Sequence, residues 1–178
     1  RIGRCRGFGV QSPWAYRMVR YVINEHWPYY AYAPLAARFP GEGVIGRRVC
    51  ELCLRLANRL QPRKVALYGI DGDAISCYIQ AGCRRAECAK AGADGVAEAD
   101  FAVIAPADGF GGAFGGMCAA ARDGSAAMLL DIRRDKAMRR LWRSVAAETQ
   151  GVVTFDLYYC GLVFFDKKRY KQNYIINF

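Results

Sequence analysis

The chain has 178 residues, of which 53% are hydrophobic, and its 26 Lys and Arg against 16 Asp and Glu give a formal net charge of +10. This length suits one domain with its own core, and no apolar run approaches the ~20 residues of a membrane-spanning helix, so we expect no membrane partner. We expect one domain over residues 1–178, with a helix and connector in 1–43 and an α/β core in 44–178. The eight cysteines are scattered along the chain, which favours reduced thiols and a cytoplasmic protein.

The first predicted element is a helix from about Pro13 to Glu25. Ser12 can cap its free amides, and proline suits the first helical turn. The spacing of Tyr16, Val19 and Ile23 places them on one side of this helix. The prolines and glycines that follow predict a connector over residues 27–43, with one short helical turn at most.

A second helix is predicted over residues 44–60, followed by a strand. A single buried stripe is indicated by the three- and four-residue spacing of Ile45, Val49, Leu52, Leu56 and Leu60. The apolar run "VALYGI" predicts the strand, and a turn at "DGD" then leads into a helix over residues 74–81. Residues 84–100 are polar and alanine-rich, and they predict at most one small helix.

The rest of the chain alternates strands and helices and then ends in strands. Buried strands are predicted at "DFAVIAP" and "SAAMLLDI", with "GFGGAFGG" between them as a glycine-rich loop before a short helix. A helix over residues 135–149 places Met138, Trp142 and Val145 on one face. Strands follow at "VVTFDLYY", "GLVFF" and "YIINF". This order predicts an α/β fold: a mainly parallel sheet with an antiparallel C-terminal strand and helices on both faces.

Segments near both ends of the chain resemble a known family. "GFGVQSPWAYRMV" resembles the opening segment of the small bacterial O-methyltransferase-like branch of the class I S-adenosylmethionine (SAM) dependent methyltransferases, and "LLDIRRDKAMRRLWRSV" with the following strands resembles its last third. The resemblance implies a seven-stranded Rossmann-like sheet, with SAM across the carboxyl ends of the first strands. The weakest part of the resemblance is 83–100, a region in which one strand-helix unit could be missing.

The same comparison makes "LYGIDGDAIS" the cofactor loop. It implies that Gly69, Asp71, Gly72 and Ser76 lie near SAM, with Asp108 as a further cofactor contact or a helix cap. Two positions in the loop depart from the family pattern. Leu67 stands where an acid usually ends the first strand, and Asp73 replaces the second glycine.

Other acids that the family uses have also changed. The acid that would bind the ribose has no clear counterpart, and Glu87, Asp94 and Glu98 are candidates by position only. The family's Asp-Gly-Asn-His run is here residues 105–108, "APAD". Each lost charge-assisted hydrogen bond removes about 1.5–3 kcal/mol, so two or three losses weaken SAM binding by roughly a thousandfold or more. We therefore expect SAM binding to be weak or lost.

Asp131 is the catalytic candidate, because it follows a strand at the sheet edge where ligands bind. The alternative is that Asp131 caps the helix that begins near Asp135. His26, at a helix end, is a general base or, more simply, a surface residue.

No metal site is expected. A four-thiolate zinc site from Cys50, Cys53, Cys83 and Cys88 is the competing hypothesis to small apolar packing of these side chains. The dense aromatic residues of the first 32 positions predict either a lid over the site or a partner surface.

Three functions remain open at this point. The first is a SAM-dependent methyltransferase that acts on a small-molecule acceptor. The second is a catalytically inactive binding or scaffold protein with the same fold. The third is a basic RNA-associated protein, since cations are grouped in residues 1–6, 133–143 and 167–171.

Overall fold

The computed structural model describes residues 10–147, 152–166 and 170–178. The strands are β1 (Lys64–Tyr68), β2 (Glu87–Lys90), β3 (Phe101–Ile104), β4 (Ala126–Leu130), β5 (Val152–Asp156), β6 (Cys160–Phe165) and β7 (Gln172–Ile175). The helices are α1 (Pro13–Met18), α2 (Tyr32–Arg38), α3 (Gly43–Leu60), α4 (Ala74–Gly82), α5 (Ala93–Ala97), α6 (Phe110–Ala120) and α7 (Lys136–Ala147). A π-helical segment, Val19–Ile23, continues α1, and a 3₁₀ turn, Pro40–Glu42, precedes α3.

The strands form one seven-stranded sheet in the order β2-β1-β3-β4-β6-β5-β7. Strand β6 lies between β4 and β5 and is antiparallel to both. The last described strand, β7, pairs parallel to β5. The predicted mainly parallel sheet is confirmed. In a doubly wound sheet, the second and third strands lie side by side on the outer side of the first strand. Among the described residues, only β2 lies on that side of β1. The sheet reaches seven strands through β7 at its other edge.

Side chains alternate between two hydrophobic cores, one on each face of the sheet. In β1, Val65 and Leu67 face the core covered by α1, α3 and α4, and Ala66 and Tyr68 face the core covered by α5, α6 and α7. This is the two-residue period of a strand that is covered on both faces.

The predicted secondary structure was wrong in three segments. The connector over residues 27–43, predicted with one short helical turn at most, contains the seven-residue helix α2 and a 3₁₀ turn. Residues 84–100 hold the strand β2 as well as the short helix α5, and the glycine-rich stretch is part of helix α6 rather than a loop. In α6, Ala113, Phe114 and Met117 are buried on the sheet, which explains why the glycine-rich stretch is helical. This packing outweighs the weak helix propensity of glycine. In α7, Met138, Trp142 and Val145 are buried as predicted, and the predicted end near Thr149 lies outside the described residues.

The first helix packs differently from the predicted pattern. Ser12 caps it by accepting a hydrogen bond from the Ala15 amide, but Tyr16 is 41% exposed, and the buried residues are instead Ala15, Met18, Val19, Val22 and Ile23. These buried positions follow the i, i+3, i+4, i+7, i+8 spacing of one helix face, and Tyr16 lies outside that face. The segment ends in π-helical geometry, in which the Asn24 amide bonds the Val19 carbonyl. None of the described helices is long and apolar enough to span a bilayer.

A buried arginine joins this segment to the core. The Arg55 guanidinium donates to the carbonyls of Val22 and Ile23, at 2.6 and 3.2 Å, and to the Tyr32 hydroxyl at 2.9 Å. The two carbonyls lie at the end of the π-helical segment, where a helix carries unsatisfied acceptors and partial negative charge. Arg55 therefore fixes residues 13–32 against α3.

We expect Arg55→Met to lower the free energy of unfolding by at least about 3 kcal/mol, because buried acceptors that lose their donor cost about 1–3 kcal/mol each. Arg59→Met is the matched control on the same helix, since Arg59 is exposed, and it should change stability by less than about 0.5 kcal/mol. Urea denaturation measures both values. Equal stabilities would show that Arg55 does not hold the segment.

Candidate functional site

The candidate site is the crevice at the carboxyl ends of β1–β4. Parallel strands end at one edge of a sheet, and ligands of open α/β sheets bind outside that edge. The loops that meet here are residues 69–73 after β1, 91–92 after β2, 105–109 after β3 and 131–135 after β4.

Gly69 lies where predicted, directly after β1, and its surroundings explain the glycine. Its φ of 67° is in the left-handed region, and a Cβ would lie 2.6 Å from the Ala107 Cβ and 3.3 Å from the Ala105 carbonyl oxygen. Gly69 is therefore required by close packing of the loop that follows β3. The atoms that would clash with a side chain at Gly69 are those of Ala105 and Ala107.

Three other predicted cofactor contacts lie in the same loop or in the first turn of α4. Asp71 and Gly72 are exposed, and a Cβ on Gly72 would meet no atom within 4 Å. The Ser76 hydroxyl donates to the Asp73 carbonyl at 2.8 Å, so this hydrogen bond lies within the first turn of α4. This part of the loop is open to solvent.

The residue at the end of β2 is Lys90, which the sequence analysis did not select. Its ammonium group donates to the Asp71 carbonyl. Glu87 begins β2 at the opposite edge of the sheet, and Glu98 pairs at 3.1 Å with Lys64, which begins β1. Asp94 is exposed in the first turn of α5. A cation thus occupies the position where an acid was sought.

Tyr68, the last residue of β1, was also not selected. Its hydroxyl donates to the carbonyl of Asp108. The Tyr68 hydroxyl oxygen would lie 2.8 Å from a Cβ at Gly109. Asp108 itself is exposed. Tyr68 therefore joins the end of β1 to the loop after β3 across the crevice. In the sequence, its position at the end of a predicted strand was the signal that could have identified Tyr68 as a site residue.

Asp131 follows β4 in a left-handed turn, with a φ of 49°. Its amide donates to the Tyr159 carbonyl at 2.7 Å, and its carbonyl accepts from the Arg134 amide at 2.8 Å. Asp135, and not Asp131, caps α7, since its carboxylate accepts from the Met138 amide at 2.8 Å. The capping alternative for Asp131 is wrong.

A cavity of about 180 Å³ adjoins Asp131, and Glu42, Cys50, Ile75 and Tyr159 also line it. Burial, with smaller contributions from Glu42 and Glu51, raises the pKa of the Cys50 thiol to about 12. The thiol is therefore protonated at neutral pH and is not a nucleophile there.

The remaining candidates lie away from this edge or take part in packing. His26 is exposed after the π-helical segment. The Cys53 thiol lies 3.6 Å from the Met128 sulfur in the core, and the Cys83 thiol contacts the Pro62 carbonyl. Among the described residues, no three His, Cys, Asp or Glu are grouped so that they could hold a metal ion.

The aromatic residues near the start of the chain divide into two sets. Trp14 packs on Phe155 and Phe164, with ring centroids 6.2 and 5.2 Å apart, so it belongs to the core of the sheet and not to a lid. Trp27 and Tyr30 are 76% and 80% exposed.

The comparisons with known proteins identify the fold. No family model and no curated protein matches the chain, but solved structures do. The SAM complex of the O-methyltransferase TomG from Streptomyces achromogenes has a TM-score of 0.53 and 12% identity, covering 79% of this chain and 91% of that one. The S-adenosylhomocysteine (SAH) bound methyltransferase PaMTH1 of Podospora anserina has a TM-score of 0.56 and 11% identity, covering 88% and 97%.

A third structure, the O-methyltransferase from Bacillus cereus in complex with SAH, has a TM-score of 0.51 and 16% identity, covering 81% of this chain and 94% of that one. The chain is therefore structurally similar to class I SAM-dependent O-methyltransferases over most of its length, which confirms the resemblance seen in the sequence. Identities this low show the fold alone.

We expect Gly69→Ala to destabilise the fold by about 1–3 kcal/mol, because the new Cβ must both adopt a positive φ and displace the loop at Ala107. Gly72→Ala, three residues further on, is the control and should be neutral within about 0.5 kcal/mol. Thermal unfolding of both variants tests the difference. An unchanged Gly69→Ala variant would mean that the crevice loops are not packed together.

Proposed function

We propose that this chain is a methyltransferase-like protein in which SAM binding is weak or lost, and that it acts by binding a partner rather than by methyl transfer. One observation carries the proposal: β1 and β2 end in Tyr68 and Lys90, and both side chains donate hydrogen bonds to backbone carbonyls of the crevice loops. The fold is that of a methyltransferase, while the ends of these strands present donors.

Donors at these positions oppose the chemistry of SAM. The ligand offers an ammonium group and ribose hydroxyls, which need acceptors, and although its carboxylate is negative, its ammonium and sulfonium groups leave one net positive charge. Lys90 would repel these charges, and each missing charge-assisted bond costs about 1.5–3 kcal/mol. Two such losses weaken binding by roughly a hundredfold to ten-thousandfold.

The packing of the loops opposes a ligand as well. The loop after β3 lies directly against Gly69, and Tyr68 and Lys90 hold the loops on either side. A ligand that entered between these loops would have to break both hydrogen bonds. Its net affinity would fall by the energy of the bonds that it replaces.

A second candidate function, a slow methyltransferase, is favoured by the position of Asp131. Its carboxylate adjoins the 180 Å³ cavity at the edge of the sheet, where it could accept a proton from a hydroxyl of the acceptor. That volume is below the ~300–1,000 Å³ of most small-molecule sites, so the acceptor would be small.

We expect no heat of binding and no thermal shift when the wild-type chain is titrated with SAM or SAH up to about 1 mM. Lys90→Glu places an acceptor at the end of β2 and should raise SAM affinity about tenfold, because it exchanges a repulsive for an attractive charge. Arg84→Glu, an exposed position elsewhere, makes the same change in charge and serves as the control. Micromolar binding by the wild type would refute the proposal and favour the enzyme.

A further inference from the structure

A second, larger cavity lies between α7 and the strands β5 and β7. We call it the basic groove; it has a volume of about 700 Å³, and Trp142, Thr154 and Asn173 line it between the helix and the strands. Cavities of about 300–1,000 Å³ are typical of ligand sites. The groove shares the loop after β4 with the crevice through Ile132 and Arg133, but its other lining residues belong to α7, β5 and β7.

The polar groups of Thr154 and Asn173 are already satisfied by the protein. The Thr154 hydroxyl donates to the Asn173 side-chain oxygen at 2.6 Å, and the Asn173 amide group donates to the Ala146 carbonyl at 2.7 Å. This part of the lining is therefore preformed, and selection of a ligand falls to the side chains around it.

Cations dominate the lining. They are Arg133, Lys136, Arg139, Arg140 and Arg143. The one carboxylate among the lining residues, Asp156, is already bonded to Arg133 at 2.8 Å. The groove therefore has a strong excess of positive charge.

The four cations of α7 form no ion pair within the part of the chain that the structure describes. The Nε atoms of Arg139 and Arg143 donate to helix carbonyls, at 3.1 and 3.2 Å, which holds both side chains along the helix. From Lys136 to Arg143 the row is about 10 Å long, given a rise of about 1.5 Å per residue. A row of this length suits a chain of anionic groups better than a single anion.

Exposed tyrosines lie just past the two ends of the β5–β7 strand pair, next to the groove but not among the residues that line it. Tyr158 follows β5 and is 48% exposed, with the Arg133 guanidinium 5.1 Å from its ring centroid. Tyr170 precedes β7 and is 91% exposed. Since β5 and β7 are parallel, these rings lie at opposite ends of the strand pair. Cations interleaved with accessible aromatic rings are typical of sites for single-stranded nucleic acid.

We propose that the basic groove binds single-stranded nucleic acid, with phosphates along the α7 cations and bases against the tyrosines. The cations alone would also suit a carboxylate-rich peptide, but the aromatic rings at both ends favour bases. Most of the other cation groups of the sequence, in residues 1–6 and 167–169, lie outside the described residues, so the proposal is confined to this groove.

Fluorescence anisotropy with a labelled 15-nucleotide oligouridylate tests the proposal on the whole chain. We expect saturable binding whose log K falls linearly with log salt, with a slope of about −2 to −3.5, as three to five phosphate contacts require. The triple variant Arg139→Gln, Arg140→Gln, Arg143→Gln should bind at least about tenfold more weakly at 100 mM salt, and its slope should be smaller by about 2.

The matched control is Arg20→Gln, Arg47→Gln, Arg84→Gln, which removes the same charge from exposed positions elsewhere. It should retain affinity within about threefold, as should a variant with lysine at 139, 140 and 143. Tyr158→Leu should weaken binding about tenfold through lost stacking. Circular dichroism verifies the fold of each variant.

Three results would overturn the proposal. The first is no saturable binding at 50 mM salt. The second is an equal loss in the two glutamine variants, which would assign binding to overall charge. The third is competition by a 15-residue polyglutamate as effective as that by unlabelled oligonucleotide, which would assign the groove to acidic peptides.

Discussion

The buried carboxylate of Asp156 fixes the C-terminal half of the structure. Asp156 ends β5 and is only 8% exposed, and it accepts from Arg133 at 2.8 Å, the Trp142 indole at 3.3 Å and the Tyr158 amide at 2.9 Å. Trp142 in turn lies flat over β6, where a Cβ on Gly161 would fall 2.3 Å from its ring. These contacts hold α7 on the sheet and set where its cations lie. The basic groove is a consequence of this one docking arrangement.

The loops of the crevice are held together by the protein's own hydrogen bonds. At the ends of β1 and β2, the side chains of Tyr68 and Lys90 are donors that satisfy carbonyls of the protein's own loops. Loops satisfied in this way are stable without a ligand. Because the two cores on either face of the sheet supply most of the stability, exposed side chains at the sheet edge can change at little cost to the fold. Fold and chemistry are therefore separable in this chain.

Hydrophobic periodicity predicted the elements with long buried faces, such as α3, α7 and the central strands, and the resemblance predicted the fold. Periodicity failed where tertiary contact decides: α6 is helical because Ala113, Phe114 and Met117 are buried on the sheet, and β2 is a four-residue edge strand without alternation. At the site, the positions of Gly69 and Asp131 followed from the strand ends. The contacts of Tyr68 and Lys90 did not, because their partners are backbone carbonyls, which leave no signature in the sequence.

The positive charges on α7 also affect the stability of the helix. Among Lys136, Arg139, Arg140 and Arg143, four pairs are three or four residues apart, and like charges at this spacing destabilise a helix by about 0.2–0.5 kcal/mol per pair. Burial of Met138, Trp142 and Val145, at about 1.5–3 kcal/mol each, exceeds that repulsion, so the helix forms without a ligand. The fold does not need these cations. A polyanion in the basic groove would relieve their repulsion, so the charges that weaken the empty helix would add to the affinity of the occupied one.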